Sequence, residues 1–246
     1  MEGVPARKCA VLIDEFDFST DLMGGSMSCP VEMIETPRLQ QDAVAKAPLL
    51  AGDATLEISG YYSGYSAGDI HKELTTRQLA NTLQYAAVIY DTRTLGGAAH
   101  VLVSSWNQSL KVNLPVKELI TIEGAITANP LRNGIVVANG TLTAGAQTIV
   151  DNGAAGAGGL TAFLFVQAIN GTPTTGISVA LQGSTASNFA TSVTLGTWAD
   201  FSAVGCKVLT VASGTVQRYL RLNVDLDGAT NVVVKAIVCV PGVNET

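Results

Sequence analysis

Apolar and polar residues alternate at period two over much of the chain, the signature of half-buried strands. The plainest case is residues 215–240. Val216, Leu220, Leu222, Val224 and Leu226 share one face there, and Tyr219, Arg221, Asn223, Asp225 and Asp227 share the other. Asp227-Gly228-Ala229-Thr230 reads as a turn, because glycine tolerates positive φ and aspartate can bond its own backbone. The chain resumes with Val232, Val234, Ala236, Val238 and Val240 on one face, so the stretch predicts a β-hairpin.

Further strands are expected over residues 9–16, 31–35, 54–62, 88–91, 100–106, 108–113, 116–125, 135–138 and 141–150. Asn133-Gly134 and Asn139-Gly140 read as turns. A regular meander follows over residues 160–169, 177–182, 190–195 and 206–211, as in a sandwich or barrel. One helix is predicted over residues 72–87. Its apolar stripe is Leu79, Leu83, Ala86 and Ala87, with Thr75 to Gln78 or Asp69 as the cap. It should lie across a sheet. Residues 19–30, centred on Gly24-Gly25, read as a loop or arm, and residues 37–53 as a long loop. The run DNGAAGAGG at 151–159 reads as a linker or as a wide turn within one fold.

Charge is sparse. Only 14% of the 246 residues are charged against 47% hydrophobic, and the net charge is −6. That suits either a surface largely covered by other subunits or a β-rich domain with many short turns. No Lys/Arg cluster offers a nucleic-acid footprint. No run reaches the length of a membrane helix, and residues 1–16 lack a signal-peptide layout, so the chain is expected to fold in a cytoplasm. Cys9, Cys29, Cys206 and Cys239 form no CxxC pair. Cys206 and Cys239 are expected as small buried hydrophobes.

Candidate chemistry is thin. His71 and His100 have no nucleophile or carboxylate placed around them in a catalytic pattern. Asp14, Glu15 and Asp17 lack the spacing of a calcium loop. The glycines of 153–159 lack the Lys-Ser/Thr end of a phosphate loop. Tyr61, Tyr62 and Tyr65 suit either packing or a carbohydrate surface. Arg218 falls on the apolar face of its strand. Buried there it needs a carboxylate or carbonyls, so it is expected as a structural clamp. No catalytic, metal or cofactor residue is assigned, and no enzyme activity is expected.

Several stretches together resemble the major tail tube proteins of long-tailed phages and related gene transfer particles. The first half carries VLIDEFDFS at 11–19, a Met/Gly-rich arm, a long loop, LEISGYYSG at 56–64 and one helix. The second half carries VDNGAAGAGGLTAFLFVQA at 150–168, SVALQGST at 178–185 and GTVQRYLRLNVDL at 214–226. The QGSTASN loop at 182–188 departs from the Ser-x-Asp type found more often in that family.

The resemblance implies a mainly β fold: a tail-tube β-sandwich or barrel flanked by the 72–87 helix, plus a C-terminal β-sandwich-like meander. Residues 1–150 would form the tube domain, with its arm and the loop 37–53. Residues 151–246 would form a β-sandwich-like domain, separate or integrated with the first. Hexameric rings would stack into a tail tube through which DNA passes without specific binding. Ring-to-ring contacts would come from Met23, Gly24, Gly25, Met27, Pro37, Arg38, Gln40, Gln41 and Lys46. Expected partners are further copies of the chain and tape-measure, tail terminator and distal tail proteins, in a virion tail assembled in the host bacterial cytoplasm. The competing readings are a capsid decoration or head-fibre protein and a carbohydrate-binding β-sandwich module.

Overall fold

The computed structural model describes residues 9–36, 45–51, 53–64, 66–91, 94–115, 119–241 and 243. The elements run β1 (Ala10–Ile13), β2 (Phe16–Asp17), β3 (Leu22–Ser28), β4 (Val31–Thr36), β5 (Ala45–Ala51) and β6 (Ala54–Tyr61). Then come α1 (Ile70–Ala80), β7 (Gln84–Ile89), β8 (Ala98–Asn113), β9 (Thr121–Ala128) and β10 (Leu131–Leu142). The rest is β11 (Gly145–Ala146), β12 (Val150–Asp151), β13 (Leu160–Asn170), β14 (Ile177–Ser184), β15 (Val193–Phe201), β16 (Gly205–Val211), β17 (Tyr219–Asp225) and β18 (Asn231–Cys239). The protein is mainly β, with antiparallel pairing throughout the named strands and one helix among the described residues.

Two compact units share the chain. One is drawn from Met1–Thr20, Tyr85–Val101 and Arg132–Thr246, the other from Asp21–Gln84 and Leu102–Leu131. The expected division at 150/151 does not separate them. β12 straddles that point and bonds to β17, with Val150 opposite Leu220 and Asp151 opposite Tyr219, and β11 bonds to the same strand. The run 151–159 is held in the same unit, with Gly156 bridged to Val216 and Gly158 to Gly214.

The first unit is a β-sandwich. One sheet has the order β16-β13-β18-β10-β8-β7-β1-β2, to which β8 contributes its opening residues. The other has the order β11-β17-β14-β15. Leu164, Val166, Val234 and Ala236 meet Val179, Leu181, Leu222 and Val224 in one core. β13 and β18 are buried on both faces, because Phe163, Phe165 and Ile237 project away from that core and are buried too. Tyr85 covers that second side, its ring centroid 5.8 Å from that of Phe163.

The pairing corrects the hairpin expected over 215–240. β17 pairs with β14 and β18 with β13 and β10, so the two strands lie in opposite sheets. Their apolar faces look at each other across the core, and the turn between them is an arch. Asp227 shapes this arch in the left-handed region, at φ 45°. Its carboxylate accepts hydrogen bonds from the Thr175 N–H, the Thr175 hydroxyl at 2.8 Å and the Gly176 N–H at 3.2 Å. These donors, the Thr175 N–H foremost, hold its carboxyl below the ordinary value. A depressed folded pKa contributes stability above the unfolded value of about 3.9, lost as pH falls through the folded one. Asp227→Asn should therefore lower Tm at pH 7 and flatten the decline of Tm below about pH 4. Thermal melts from pH 2 to 7 check both.

Other turns also resolve differently. Asn133-Gly134 and Asn139-Gly140 lie within the single strand β10. Gly134 is needed there for close approach, since a Cβ would sit 2.7 Å from the Cys239 sulfur.

In the second unit β3, β6, β9 and residues 106–113 of β8 form a four-stranded sheet. The helix lies on one face of it. Leu74 is buried, and a Cβ on Gly124 would come within 3.3 Å of its Cδ1. Asn107 Nδ2 donates to the Leu74 carbonyl at 2.8 Å. The helix opens at Asp69, whose carboxylate receives the Ser66 N–H at 2.6 Å. It ends at Asn81 in the left-handed region, well short of residue 87. The chain beyond Asn81 becomes β7, which buries Ala86 and Ala87 as strand residues. Leu79 and Leu83 are 81% and 61% exposed, so the expected apolar stripe does not form. The expected arm at 19–30 is largely the strand β3, and the expected loop at 37–53 contains the strand β5, paired to β4.

Candidate functional site

The second unit presents one sheet face to the helix and leaves the other bare. The register places Ser26, Glu57, Ala125 and Ser109 side by side across all four strands of the bare face. The neighbouring row is Gly24, Ser59, Glu123 and Lys111. Strand alternation makes this face small and polar while Leu56, Ile58, Ile122 and Ile126 point to the helix side. A shallow open trough runs over these rows. Ser26 Oγ donates to Glu57 at 3.1 Å, and Asn113 Nδ2 donates to Glu123 at 2.8 Å. Lys111 lies 3.4 Å from Glu123, but both side chains are more than half exposed, so the pair contributes about 0–1 kcal/mol. Two carboxylates against one ammonium leave the trough weakly anionic.

Among the described residues β3 is an edge strand, paired to β6 alone. Met23 is the extra residue of a bulge between Leu22 and Gly24 and is 47% exposed. Gly25 runs close to β6, where a Cβ would meet the Glu57 carbonyl at 3.0 Å. The structure thus gathers Met23, Gly24, Gly25 and Met27 on one edge. Lys46 stands in β5, opposite Glu35 in the β4–β5 ribbon. Pro37, Arg38, Gln40 and Gln41 lie outside the described residues, as does Tyr65.

Arg218 belongs to the first unit. It precedes β17 and is exposed, where burial on the apolar face was expected. Its guanidinium grips Asp151 in a fork, Nε to Oδ1 at 2.9 Å and Nη2 to Oδ2 at 2.8 Å. That hydrogen bonding raises the Arg218 pKa and lowers that of Asp151.

The acidic cluster near the start of the chain is divided among separate tasks. Asp14 Oδ1 accepts from the Tyr85 N–H at 2.9 Å, and Asp17 pairs with Lys235 and Ser19. Among the described residues no three His, Cys, Asp or Glu side chains are placed to share a metal ion. His100 Nδ1 faces Asn133 Oδ1 at 2.5 Å and its ring packs edge-on to Tyr90. Burial pushes its pKa down. His71 packs against Tyr62. Cys239 is buried as expected. Cys206 is only partly covered, although burial still pushes its thiol well up.

Sequence reasoning missed the polar face and the Asp17–Lys235 pair. Glu57 and Glu123 become neighbours only through the register of strands drawn from distant stretches. Lys235 carried a usable signal, as a lone charge inside the run Val232 to Val240.

The fold and face define a mainly β protein with an open polar sheet and no gathered catalytic group among the described residues. No family model matches the chain, and no curated protein sequence matches it. Solved tail structures are similar to it. The tail tube of phage SPP1 shares 11% identity over 53% of this chain and 78% of its own, at a TM-score of 0.41. A chain of the virion of a native gene transfer agent particle shares 12% over 52% and 95%, at 0.40. The SPP1 Dit protein, described as a hub adsorption apparatus, shares 8% over 93% and 98%, at 0.39.

Proposed function

We propose that the chain is a structural subunit of a phage-type tail. Its copies close into hexameric rings that stack into the tube through which DNA leaves the particle. The observation that carries this reading is the four-stranded sheet of the second unit, helix-covered on one face and bare, small and polar on the other. An uncovered edge strand such as β3 offers backbone donors and acceptors to a neighbour's strand. Copies joined edge to edge make a closed barrel without free edges. The bare face then lines the bore. Its carboxylates repel phosphate, and its small side chains leave nothing for bases to stack on.

In this reading the β4–β5 ribbon, with Lys46, reaches the adjacent ring. Tape-measure, terminator and distal tail proteins are the other partners, the finished protein sits in the virion tail after assembly in the host bacterial cytoplasm, and no catalytic step is assigned. Electron microscopy of the purified chain tests the proposal. Rings or tubes of uniform bore are expected, and gold labelling should mark tails rather than capsids. Monomers that persist even with the tail partners present overturn it.

The bore assignment makes its own prediction. The double variant Glu57→Lys, Glu123→Lys should fold and assemble, since both side chains are exposed. Its tubes should retain DNA at low salt and release it as salt rises, while wild-type tubes retain none. Filter binding across a salt series reads this.

A further inference from the structure

Two arginines flank Tyr219 in the first unit, and they stand in opposite states. The fork of Arg218 is closed by Asp151. The fork of Arg221 is open. Its Nε donates to Gln182 Oε1 at 2.9 Å and its guanidinium lies 4.2 Å from the centre of the Phe189 ring. No carboxylate pairs with it among the described residues, in a chain with 20 acidic residues against 14 basic ones. Stacking and the Gln182 bond fix the plane of the group, and neither terminal nitrogen makes a hydrogen bond among the described residues. Phe189 is itself buried, and it holds a left-handed backbone at φ 54° that a bulky residue adopts only under constraint.

The surroundings add hydrogen-bonding capacity. Arg221 lies on the outer face of its sheet, half-buried, with Asn223 two residues further along the same face. Gln182 and Ala180 are their register partners on β14. The Gln182 amide nitrogen and the Asn223 amide make no side-chain hydrogen bond among the described residues, and Ala180 leaves the space beside Asn223 low.

We infer that Arg221, Gln182 and Asn223 form a binding site for an acidic saccharide. The guanidinium fork takes the sugar carboxylate in two parallel N–H to oxygen bonds, and the two amides take ring hydroxyls as donor or acceptor. A nucleic acid is the poorer fit, because one arginine on an acidic chain makes no basic footprint. The site belongs to the first unit and stands or falls independently of the tube reading.

Calorimetric titration of the full chain with an oligogalacturonate, with a neutral galactose oligomer and with inorganic phosphate tests it. Saturable binding of the oligogalacturonate is expected, with the neutral oligomer and phosphate each at least about tenfold weaker. Arg221→Gln should weaken the oligogalacturonate at least about tenfold, and Arg221→Lys, which keeps charge but loses the fork, nearly as much. Should removal of Arg221 uncover Phe189 and unfold the chain, Asn223→Asp carries the test. Its carboxylate repels an acidic ligand beside the fork, so binding should fall at least about tenfold, while a substitution on the outer sheet face leaves Tm close to wild type. Equal binding by Arg221→Gln or Asn223→Asp, phosphate binding as tight as the oligogalacturonate, or no heat from the wild-type chain overturns the inference.

Discussion

Replacing Asp17 by alanine should destabilise the first unit by about 3 kcal/mol, the low end of the range for breaking a buried ion pair, because Lys235 is buried but Asp17 is itself exposed. Lys235 lies in β18, flanked by β13 and β10, and its side chain is only 9% exposed. Its ammonium meets Asp17 Oδ2 at 2.5 Å. Without Asp17 the lysine ammonium is left in a poorly hydrated site without the carboxylate that compensates it. Adding Lys235→Met to Asp17→Ala should recover most of the loss, because an apolar pair of similar volume removes the desolvation penalty. Urea unfolding of the single and double variants measures both values. The acid limb gives an independent check. Burial pushes the Asp17 carboxyl up, but hydrogen bonds from Lys235 and Ser19 outweigh it and hold the pKa below the ordinary value. The pair therefore contributes fully above about pH 4 and is lost as pH falls through the folded pKa, so wild type and Asp17→Ala should converge there.

Gly159→Ala should be as damaging, by about 3 kcal/mol. The backbone at φ +77° contributes about 1–2 kcal/mol for any L side chain. The new Cβ would also lie 2.0 Å from the Val211 carbonyl oxygen, a backbone atom of β16. Relieving that overlap adds about 1–3 kcal/mol. Gly153→Ala is the matched control. Its φ is +85°, but nothing lies within 4 Å of the added carbon. It should lose only the backbone part, and the difference between the two variants in urea unfolding isolates the clash. Equal losses would show that close approach plays no part in the choice of glycine at 159.

These two predictions rest on features that differ in legibility. The alternation over 216–240 reported which side chains face a core, and Leu220, Leu222, Val232 and Val234 do face one. It could not report the pairing partner, because two strands of one sheet and two strands facing across a sandwich present the same period. The helix was legible over residues 72–80, with Asp69 as one of its two candidate caps, and misread beyond Asn81. Leu79 and Leu83 continue the helical spacing, but a left-handed cap ends the helix first. β3 and β5 were hidden by glycine, proline and alanine, whose weak strand preference is overridden by pairing. The glycines of 153–159 looked like slack. Gly156 and Gly159 are instead points where chains pass too closely for a Cβ.

Of the candidate site, single residues were visible and their grouping was not. Met23 to Met27 stood out through composition, yet Glu57 and Glu123 meet only after four strands find their register. Arg218 and Arg221 were read on opposite faces of one strand, and only the position of Asp151 tells the filled fork from the open one.

The place of β18 between β13 and β10 also sets a schedule for synthesis. The second unit is complete once residue 131 has left the ribosome, and its sheet can form while translation continues. The first unit cannot close until residues 231–239 emerge and fill the gap at the centre of its sheet, beside strands waiting since residue 10. A nascent chain at that stage thus carries one finished module and one open one.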